Sequence, residues 1–465
     1  MNHDLLQGSI NSMGTGDIGP VLYAADGAEL THRRILETIL YTIHGKVTFK
    51  RLGYSQRGHE SIFPLDAAIN LPPSAYSFEL QRFIARRITT VSFDEVLDLV
   101  REVTGIKIGR RQALEVVLAC AVDFDDFYAK ARTKPRPVVG SAEAPIMVLT
   151  TDGKGIVMRP EGLREGTRKR AEAAKRKMEK RLAKGEKTNR KRMAQIASLY
   201  LTARFERTPQ DILKELAREN AEKRRPKPVE KRVWASVEKE ADAVIRMLFT
   251  EAHKRDPKHK KEWVVLVDGH NDQMRQLKKY IRREGVSAVI ILDLIHVIEY
   301  LWDAARVFYP GEAETSTECQ QWVSDKLEMV LNSEAGKVAG SIRISAAKSE
   351  LTEAQRKTAA KCAAYIAKRK AYMNYSDYLK KGYPIATGVI EGACRFMVRD
   401  RMEVTGARWS LDGAESVLKL RALVKNGDFD AYWPYHLQRE HQRNHMSKLR
   451  DIEQLESLLS HQKPS

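Results

Sequence analysis

The sequence contains no long apolar run. Nothing approaches the roughly eighteen consecutive apolar residues that a membrane-spanning helix needs, so no membrane span is expected. Cysteine is scarce: Cys120, Cys319, Cys362 and Cys394 lie far apart and form no Cys-x-x-Cys pair. That spacing argues against structural zinc and a disulfide framework and fits a reducing cytoplasm. The opening Met1-Asn-His-Asp lacks the basic and apolar regions of a signal peptide. Negative charge is in deficit, 61 acidic against 80 basic residues, for a formal net charge of +19. Such an excess points to a polyanionic partner, with nucleic acid first and an acidic membrane surface second.

The 465 residues are 43% hydrophobic and 30% charged, which excludes wholesale disorder and leaves room for two or three domains with a core each. The organising stretch is Ala144-Pro-Ile-Met-Val-Leu-Thr-Thr-Asp-Gly-Lys-Gly155. Ile146 to Leu149 reads as a short buried strand that delivers Asp152 to its C-terminal end, ahead of a flexible Gly-Lys-Gly. A single Asp-Gly is more readily a turn between strands. The pattern recurs, however, in Trp263-Val-Val-Leu-Val-Asp-Gly-His270, and again in Ala288-Val-Ile-Ile-Leu-Asp293. Three strands that each end in a carboxylate predict an α/β sheet with an acidic site along one edge.

In chain order, residues 1–30 are rich in Gly, Ser and Asn and read as a loose leader. A DNA-binding region is expected over 31–134. It opens with a helical start at Thr31, followed by a strand or ribbon over Lys46–Tyr54, and Pro72-Pro73 marks a boundary. Three helices then follow: from Ser77 toward Ile88, from an N-capping Ser92 to Thr104-Gly105, and one opened by Arg110-Arg111-Gln112. This is the helix-turn-helix pattern, in which the N-terminus of the last helix reaches DNA bases; a plain helical bundle is the alternative. The net charge favours DNA, making Arg110, Arg111 and Gln112 the candidate base readers.

Residues 138–305 form the first part of the expected catalytic core, with a basic arm over 164–192. From 168 to 192 thirteen Lys or Arg stand against three Glu, which makes a phosphate-tracking arm at least as good a reading as a solvated helical face. Its DNA candidates are Arg168, Lys169, Arg170, Lys175, Arg176, Lys177, Arg190, Lys191 and Arg192, with Lys154 beside Asp152. A strand is expected over Ala197–Arg204. Trp234, Val237, Ala241, Val244, Ile245, Leu248 and Ala252 predict one long amphipathic helix. Residues 306–383 read as a helical insertion, 384–425 as a return to the core through a Glu-bearing helix, and 426–465 as a polar tail. In that tail His441 and His445 are four apart, a spacing that can share a metal, though a solvated face is the better reading. On the Glu-bearing helix, Glu391 and Arg395 are either an ordinary i, i+4 ion pair or a fourth carboxylate with a phosphate-binding arginine beside it.

Carboxylates on neighbouring strands plus one from a later helix can hold two Mg²⁺ (or Mn²⁺) ions through oxygen, the arrangement for in-line phosphodiester chemistry. At this point the chain resembles the insertion-sequence transposases of the ISKra type, within the Asp-Asp-Glu transposases and their Mutator-like relatives. The residues that carry the resemblance are Thr151-Asp-Gly-Lys-Gly155 with Met158-Arg159, Arg190-Lys-Arg-Met193, Val267-Asp-Gly-His270, Leu292-Asp-Leu-Ile-His-Val-Ile-Glu-Tyr-Leu-Trp302, Gly388-Val-Ile-Glu-Gly-Ala-Cys-Arg395 and Thr405-Gly-Ala-Arg-Trp-Ser410. The resemblance covers roughly residues 35–440.

It implies a ribonuclease-H-like α/β catalytic domain interrupted by a helical insertion and preceded by a mostly helical, helix-turn-helix-type DNA-binding region. It further implies Asp152, Asp268 and Glu391 as the metal-binding catalytic triad. Asp293 and His296 match the Cys/Asp-x-x-His signature, and Arg395 and Trp409 are accessory. The implied activity is metal-dependent cleavage and strand transfer on double-stranded DNA, both element terminal repeats and target, by a homo-oligomer in a prokaryotic, nucleoid-associated cytoplasm. Two other classes stand beside it: a domesticated DNA-binding protein, and a nuclease of the same fold without strand transfer.

Overall fold

The computed structural model describes residues 2–131, 144–173, 190–218, 225–309, 311, 316–404 and 406–450. Pro135-Arg-Pro137, expected from the sequence as a linker, Lys175, Arg176, Lys177 and the end of the tail lie outside the described residues. The chain divides into two compact units, Met1–Thr133 with Asp400–Ser465, and Lys134–Arg399.

The first unit opens with helix α1 (Asn2–Ser12), the short strands β1 (Leu22–Tyr23) and β2 (Glu29–Leu30), and the hairpin of β3 (His32–Thr42) and β4 (Gly45–Ser55). The expected loose leader is therefore ordered. Leu6, Ile10 and Met13 pack on Val47, Phe49 and Leu65, an apolar stripe that the Gly and Ser content hides. The Gln7 side-chain amide donates to Thr48 O at 2.7 Å and accepts from Thr48 N at 3.0 Å, completing the edge of β4. The helical start expected at Thr31 is also replaced by strand. β3 pairs with β4 residue for residue from His32↔Ser55 to Thr42↔Gly45, and its β-branched Ile35, Thr38, Ile39 and Thr42 favour the pleated backbone.

After α2 (Pro64–Ala68) come α3 (Phe78–Arg87), α4 (Phe93–Thr104) and α5 (Arg110–Ala121), with ends at or within a residue of the sequence signals. The Ser77 and Ser92 hydroxyls accept from Leu80 N and Glu95 N, and Gly105 closes α4 at φ +72°. Leu80, Ile84, Val96, Val100, Val116 and Val117 are buried, whereas Val103 stays 64% exposed. A short α6 (Phe124–Asp126) leads into a π-helical turn, Phe127–Ala131.

The second unit is built on one five-stranded sheet. Its elements are β5 (Ile146–Val157), α7 (Glu165–Ala173), β6 (Lys191–Thr202), α8 (Pro209–Leu216), β7 (Val229–Ser236), α9 (Ala241–Arg255), β8 (Glu262–Val267), α10 (Asn271–Arg283) and β9 (Ala288–Leu292). The strand order is β7-β6-β5-β8-β9. β6 runs antiparallel to β5 and β7, while β8 is parallel to β5 and β9. The long helix expected from Trp234 onward is broken: Trp234 lies in β7, and helix begins only at Ala241. Val229 to Ser236 can run extended because a strand can bury Trp234 and Val233 against β6, a long-range pairing that local periodicity cannot register.

The described residues of the expected insertion, 306–383, are mainly helical: α12 (Thr317–Leu331), α13 (Ala335–Lys348), α14 (Glu353–Arg369) and α15 (Tyr375–Lys380), entered through α11 (Leu294–Phe308), which starts within the segment assigned to the core. α16 (Gly388–Ala393) follows and passes into the π-helical turn Cys394–Arg399.

The chain then returns to the first unit through α17 (Asp400–Met402), α18 (Leu411–Lys425) and α19 (Phe429–Asn444). Residues 400–425 thus group with the N-terminal segment and not with the sheet. A Cβ on Gly413 of α18 would lie 3.1 Å from Leu114 Cδ1 of α5, so the glycine permits close helix packing. The tail is no solvated helix up to residue 450. Phe429, Tyr432, Trp433 and His436 are buried, and Tyr432 donates from its hydroxyl to Cys120 O at 2.8 Å. His441 and His445 are half-buried and not on a solvated face. Their Nε2 atoms lie 2.8 Å from the Ala67 and Leu71 carbonyl oxygens respectively.

Candidate metal and nucleic-acid site

Strand register sets the site. In the parallel pair β5–β8 Thr150 faces Leu266, and in β8–β9 Val267 faces Leu292. Counting on, Asp152, Asp268 and Asp293 fall in one row at one edge of the sheet, on strands about 4.8 Å apart. Asp293 N donates to Val267 O at 2.8 Å, extending the ladder up to this row.

Asp152 differs from expectation in its backbone. β5 does not stop at Leu149 but runs through Gly-Lys-Gly to Val157, with Asp152 opposite Ile196 of β6. The glycines serve close packing on β6: a Cβ on Gly155 would lie 2.8 Å from Lys191 Cδ, and one on Gly153 would lie 3.1 Å from Met193 Cε. The half-buried Asp152 carboxylate accepts from Gly153 N at 2.6 Å and from the Cys394 thiol at 2.8 Å. From α10, Gln273 Nε2 donates to Thr151 O at 2.6 Å and to Thr151 Oγ1 at 2.8 Å, tying down the neighbouring residue.

Asp268 follows the end of β8. Its Oδ1 accepts from His270 N at 2.8 Å, and its backbone is held from the helical insertion. Tyr365 of α14 donates from its hydroxyl to Asp268 O at 2.7 Å. Arg369 donates from Nε and Nη2 to Gly269 O at 2.8 and 2.5 Å. Tyr365 is itself stacked on Tyr300 of α11, centroids 3.7 Å apart, and the Arg369 guanidinium lies 4.2 Å from the Tyr365 ring centroid.

Asp293 is fully buried and engaged on both oxygens. Oδ1 accepts from Thr387 N at 2.8 Å; Oδ2 accepts from His296 N at 3.3 Å as the N-cap of α11 and lies 2.6 Å from His296 Nδ1. This pairing raises the His296 imidazole to about 9, with the Asp293 hydrogen bond outweighing burial. Glu391 is reached through the same loop. Its Oε1 accepts from Thr387 Oγ1 at 3.2 Å, and burial, followed by repulsion from Asp293, holds its carboxyl above the usual range. Asp293, His296 and Glu391 each place one ligand atom within 4.8 Å of the others. Among the described residues, Asp152 and Asp268 join no such group with Glu391. Cys394 links the two halves: burial and then the Asp152 carboxylate push its thiol up, and Glu391 contributes in the same direction.

The remaining predicted residues are dispersed. Arg395 is exposed in the π-helical turn, which changes the i, i+4 spacing expected with Glu391. Lys154 is half-buried in β5. Arg192 is a structural clamp and not a free phosphate contact, with its guanidinium donating to Val237 O at 2.7 Å, Gly162 O at 3.2 Å and Glu238 O at 3.3 Å. In α7, Lys169 pairs with Glu165 at 2.7 Å, Arg168 with Glu172 at 3.8 Å, and Arg170 donates to Thr167 Oγ1 at 3.3 Å. Arg190 and Lys191 lie at the entry to β6.

In the first unit Arg110 holds Asp94 of α4 through Nε at 2.5 Å and Nη2 at 2.8 Å. Arg111 pairs with Glu115 at 3.0 Å, and Gln112 accepts from Gly109 N at 2.9 Å as a cap. The arginine side chains nevertheless stay 75% and 91% exposed. Trp409 also lies in the first unit, donating to Met402 O at 3.1 Å beneath the Arg401 guanidinium, and is part of that core.

A second carboxylate–imidazole group, Asp123, His436 and Glu440, is buried in the first unit. It is already neutralised: Arg443 donates to Asp123 Oδ1 at 2.6 Å and pairs with Glu440, and His436 Nδ1 lies 2.8 Å from Asp123 Oδ2.

Sequence reasoning missed Gln273, Tyr365, Arg369, Thr387 and the Cys394–Asp152 contact. Cys394 stands three residues after Glu391, one helical turn on, and that spacing was a usable signal. Tyr365 and Arg369 share a face of α14 at i, i+4 but act on a loop nearly a hundred residues away, for which no local pattern exists.

No family model matches the chain, and no curated protein matches it. Among solved structures it is similar to a Drosophila P element transposase strand transfer complex at 12% identity, with 82% of this chain and 84% of that chain covered and a TM-score of 0.24. Among the described residues no helix is long and apolar enough to cross a membrane.

Proposed function

We propose that the chain is a DNA transposase that cleaves at the ends of its insertion sequence and transfers the strand, using divalent cations held by Asp152, Asp268 and Glu391. The observation that carries this reading is the row of Asp152, Asp268 and Asp293 on three adjacent parallel strands, with Glu391 joined to it through Thr387 and Cys394. A sheet with three antiparallel strands followed by two parallel ones also accords with a ribonuclease-H-like core.

The donor set fits a hard cation. All three proposed ligands offer carboxylate oxygen, and the Glu391 carboxyl, raised first by burial and then by repulsion from Asp293, is a group whose charged form a bound cation would favour. Asp293 is the weaker ligand candidate because it is fully buried with both oxygens already bonded, whereas Asp152, though bonded on both oxygens, is only half-buried, and Asp268 Oδ2 accepts no hydrogen bond among the described residues. When bound, two Mg²⁺ or Mn²⁺ ions would supply an activated water or 3′-hydroxyl and stabilise the leaving oxygen. The chain's own residues do the positioning. Cys394 and Gly153 orient the Asp152 carboxylate, Tyr365 and Arg369 fix the Asp268 loop, and Asp293 with Thr387 sets the start of the Glu391 helix. The three helices α3–α5, with Arg110, Arg111 and Gln112 at the start of α5, would bind the terminal repeats.

The test is cleavage and joining of duplex DNA carrying the sequences that flank the gene, with and without Mg²⁺. Glu391→Gln should fold and bind DNA as the parent does but lose cleavage, because the amide keeps the shape and removes the charge. Near-parental cleavage by this variant would reduce Glu391 to the Thr387 partner seen here. Cleavage without joining would make the protein a nuclease, and binding without cleavage a DNA-binding protein.

A further inference from the structure

The helix that follows Asp268 carries its positive charge unevenly. On α10, Met274, Leu277 and Tyr280 face the core and leave two basic flanks. On one flank Lys279 pairs with Asp242 at 3.4 Å and Arg283 with Glu284 at 3.5 Å, so that charge is locally neutralised. The other flank, with Arg275, Lys278 and Arg282 at helical spacing, lines a cavity of about 300 Å³ bounded by Lys368 and Arg369 at the end of α14 and by Tyr372 in the turn just after it. Arg275 pairs with Asp272 at 2.8 Å, and Arg369 is bound to Gly269 O and Asn271 Oδ1. Lys278, Arg282 and Lys368 make no ion pair among the described residues, and no carboxylate lines the cavity. Lys278 Nζ is instead held 4.8 Å from the centroid of the Tyr372 ring.

We infer that this groove binds the sugar–phosphate backbone of a DNA duplex and leads it toward Asp268. Three unneutralised cations in one concavity repel one another, and a run of phosphates is the ligand that relieves the repulsion. Guanidinium and ammonium groups on two elements can engage successive phosphates, while Tyr372 holds the Lys278 stem in place. The position gives the inference its direction. Asn271, at the groove's rim, is three residues from Asp268, and Arg369 bridges that rim to Gly269 O. A strand seated on Lys278, Arg282 and Lys368 therefore lies against the same loop that presents the carboxylate. This inference rests on the DNA-processing reading above and adds a backbone track outside the helical region and the basic arm.

The experiment measures binding of the full chain to a random-sequence 25-base-pair duplex and to a single strand of the same length, by fluorescence anisotropy across a salt series. The groove variant is Lys278→Gln with Arg282→Gln and Lys368→Gln. The matched control, from the neutralised flank of the same helix, is Lys279→Gln with Arg283→Gln. If three phosphates are engaged, the groove variant should lower the log–log salt slope for the duplex by about two to three units, and the control by well under one. Thermal melting of both variants checks that the substitutions leave the fold intact. Equal slopes for parent and groove variant, or equal losses in groove variant and control, overturn the inference while leaving the proposed activity standing. A loss confined to single-stranded DNA overturns the duplex assignment. A parent chain that binds neither DNA overturns the inference and the proposed function together.

Discussion

Gly269 sits where the strand end, the carboxylate loop and the helical insertion meet, and replacing it by Ala tests whether that junction is as tight as described. Two costs are legible. The backbone at φ +86° lies in the left-handed region, where a Cβ costs about 1–2 kcal/mol. The added Cβ would also lie 2.6 Å from Arg369 Nε and 2.8 Å from both Arg369 Cδ and Leu292 Cδ1. Real contacts are longer, so Arg369 must leave, giving up its two bonds to Gly269 O. Losing that charged donor to a carbonyl costs a further ~1.5–3 kcal/mol. If the loop absorbs about half of the strain by shifting, about 2 kcal/mol remains as global destabilisation, a fall of roughly 4–8 °C in Tm for a unit of this size. The shifted loop also moves Asp268, and displacement of a support of this kind typically weakens metal binding about 10–100-fold. Differential scanning fluorimetry gives the first quantity, and Mn²⁺ titration followed by electron paramagnetic resonance gives the second. A double-mutant cycle with Arg369→Ala isolates the cause, because Gly269→Ala should cost less once Arg369 is gone. Parental melting together with parental Mn²⁺ affinity would refute the packing argument, and an unchanged cost in the Arg369→Ala background would refute the role given to Arg369.

Asp268→Asn should leave melting within a degree or so of the parent and abolish Mg²⁺-dependent cleavage. Asp293→Asn should lower stability by about 1–3 kcal/mol, since it weakens a buried cap and leaves His296 without its anion, and should slow cleavage without removing it. Cleavage by the first variant and none by a folded second would exchange the two roles. In the first unit, burial pushes Asp66 up to about 6 even though Arg51 is its ion-pair partner. A carboxyl raised in the folded state contributes stability below its unfolded value near 3.8 and loses it as pH rises through 6, by about 3 kcal/mol in all. Asp66→Asn should therefore flatten the melting profile of the full chain between pH 4 and 7 relative to the parent; parallel profiles would show that the ion pair already balances burial.

The strands that carry Asp268 and Asp293 were legible because each is a short apolar run ending at its carboxylate, and a parallel sheet turns equal run-ends into one row. The row itself was legible only as far as the sheet could be assumed, since nothing local states that β5, β8 and β9 are neighbours. Where a segment's partner is remote, local pattern misleads. Trp234 and Val237 fit a helical stripe with Ala241 and Val244, yet β6 offers Trp234 an antiparallel ladder, and the ladder wins because it buries the indole and satisfies the backbone together. The polar tail shows the same limit from the other side. Residues 426–465 read as a polar tail, but Asp123, more than three hundred residues away in sequence, draws His436 and Glu440 of α19 into a buried group that the exposed Arg443 closes from outside and that only a folded unit can form. The site divides along this line as well. Carboxylates at strand ends announce themselves, while what holds them in position comes from elsewhere: a thiol one turn after Glu391, a tyrosine and an arginine from the insertion, and a glutamine from α10. The helical insertion, legible as helices but not as having a task, reaches the site through Tyr365 and Arg369. Changes in α14 should for that reason reach Asp268 before they reach the rest of the sheet.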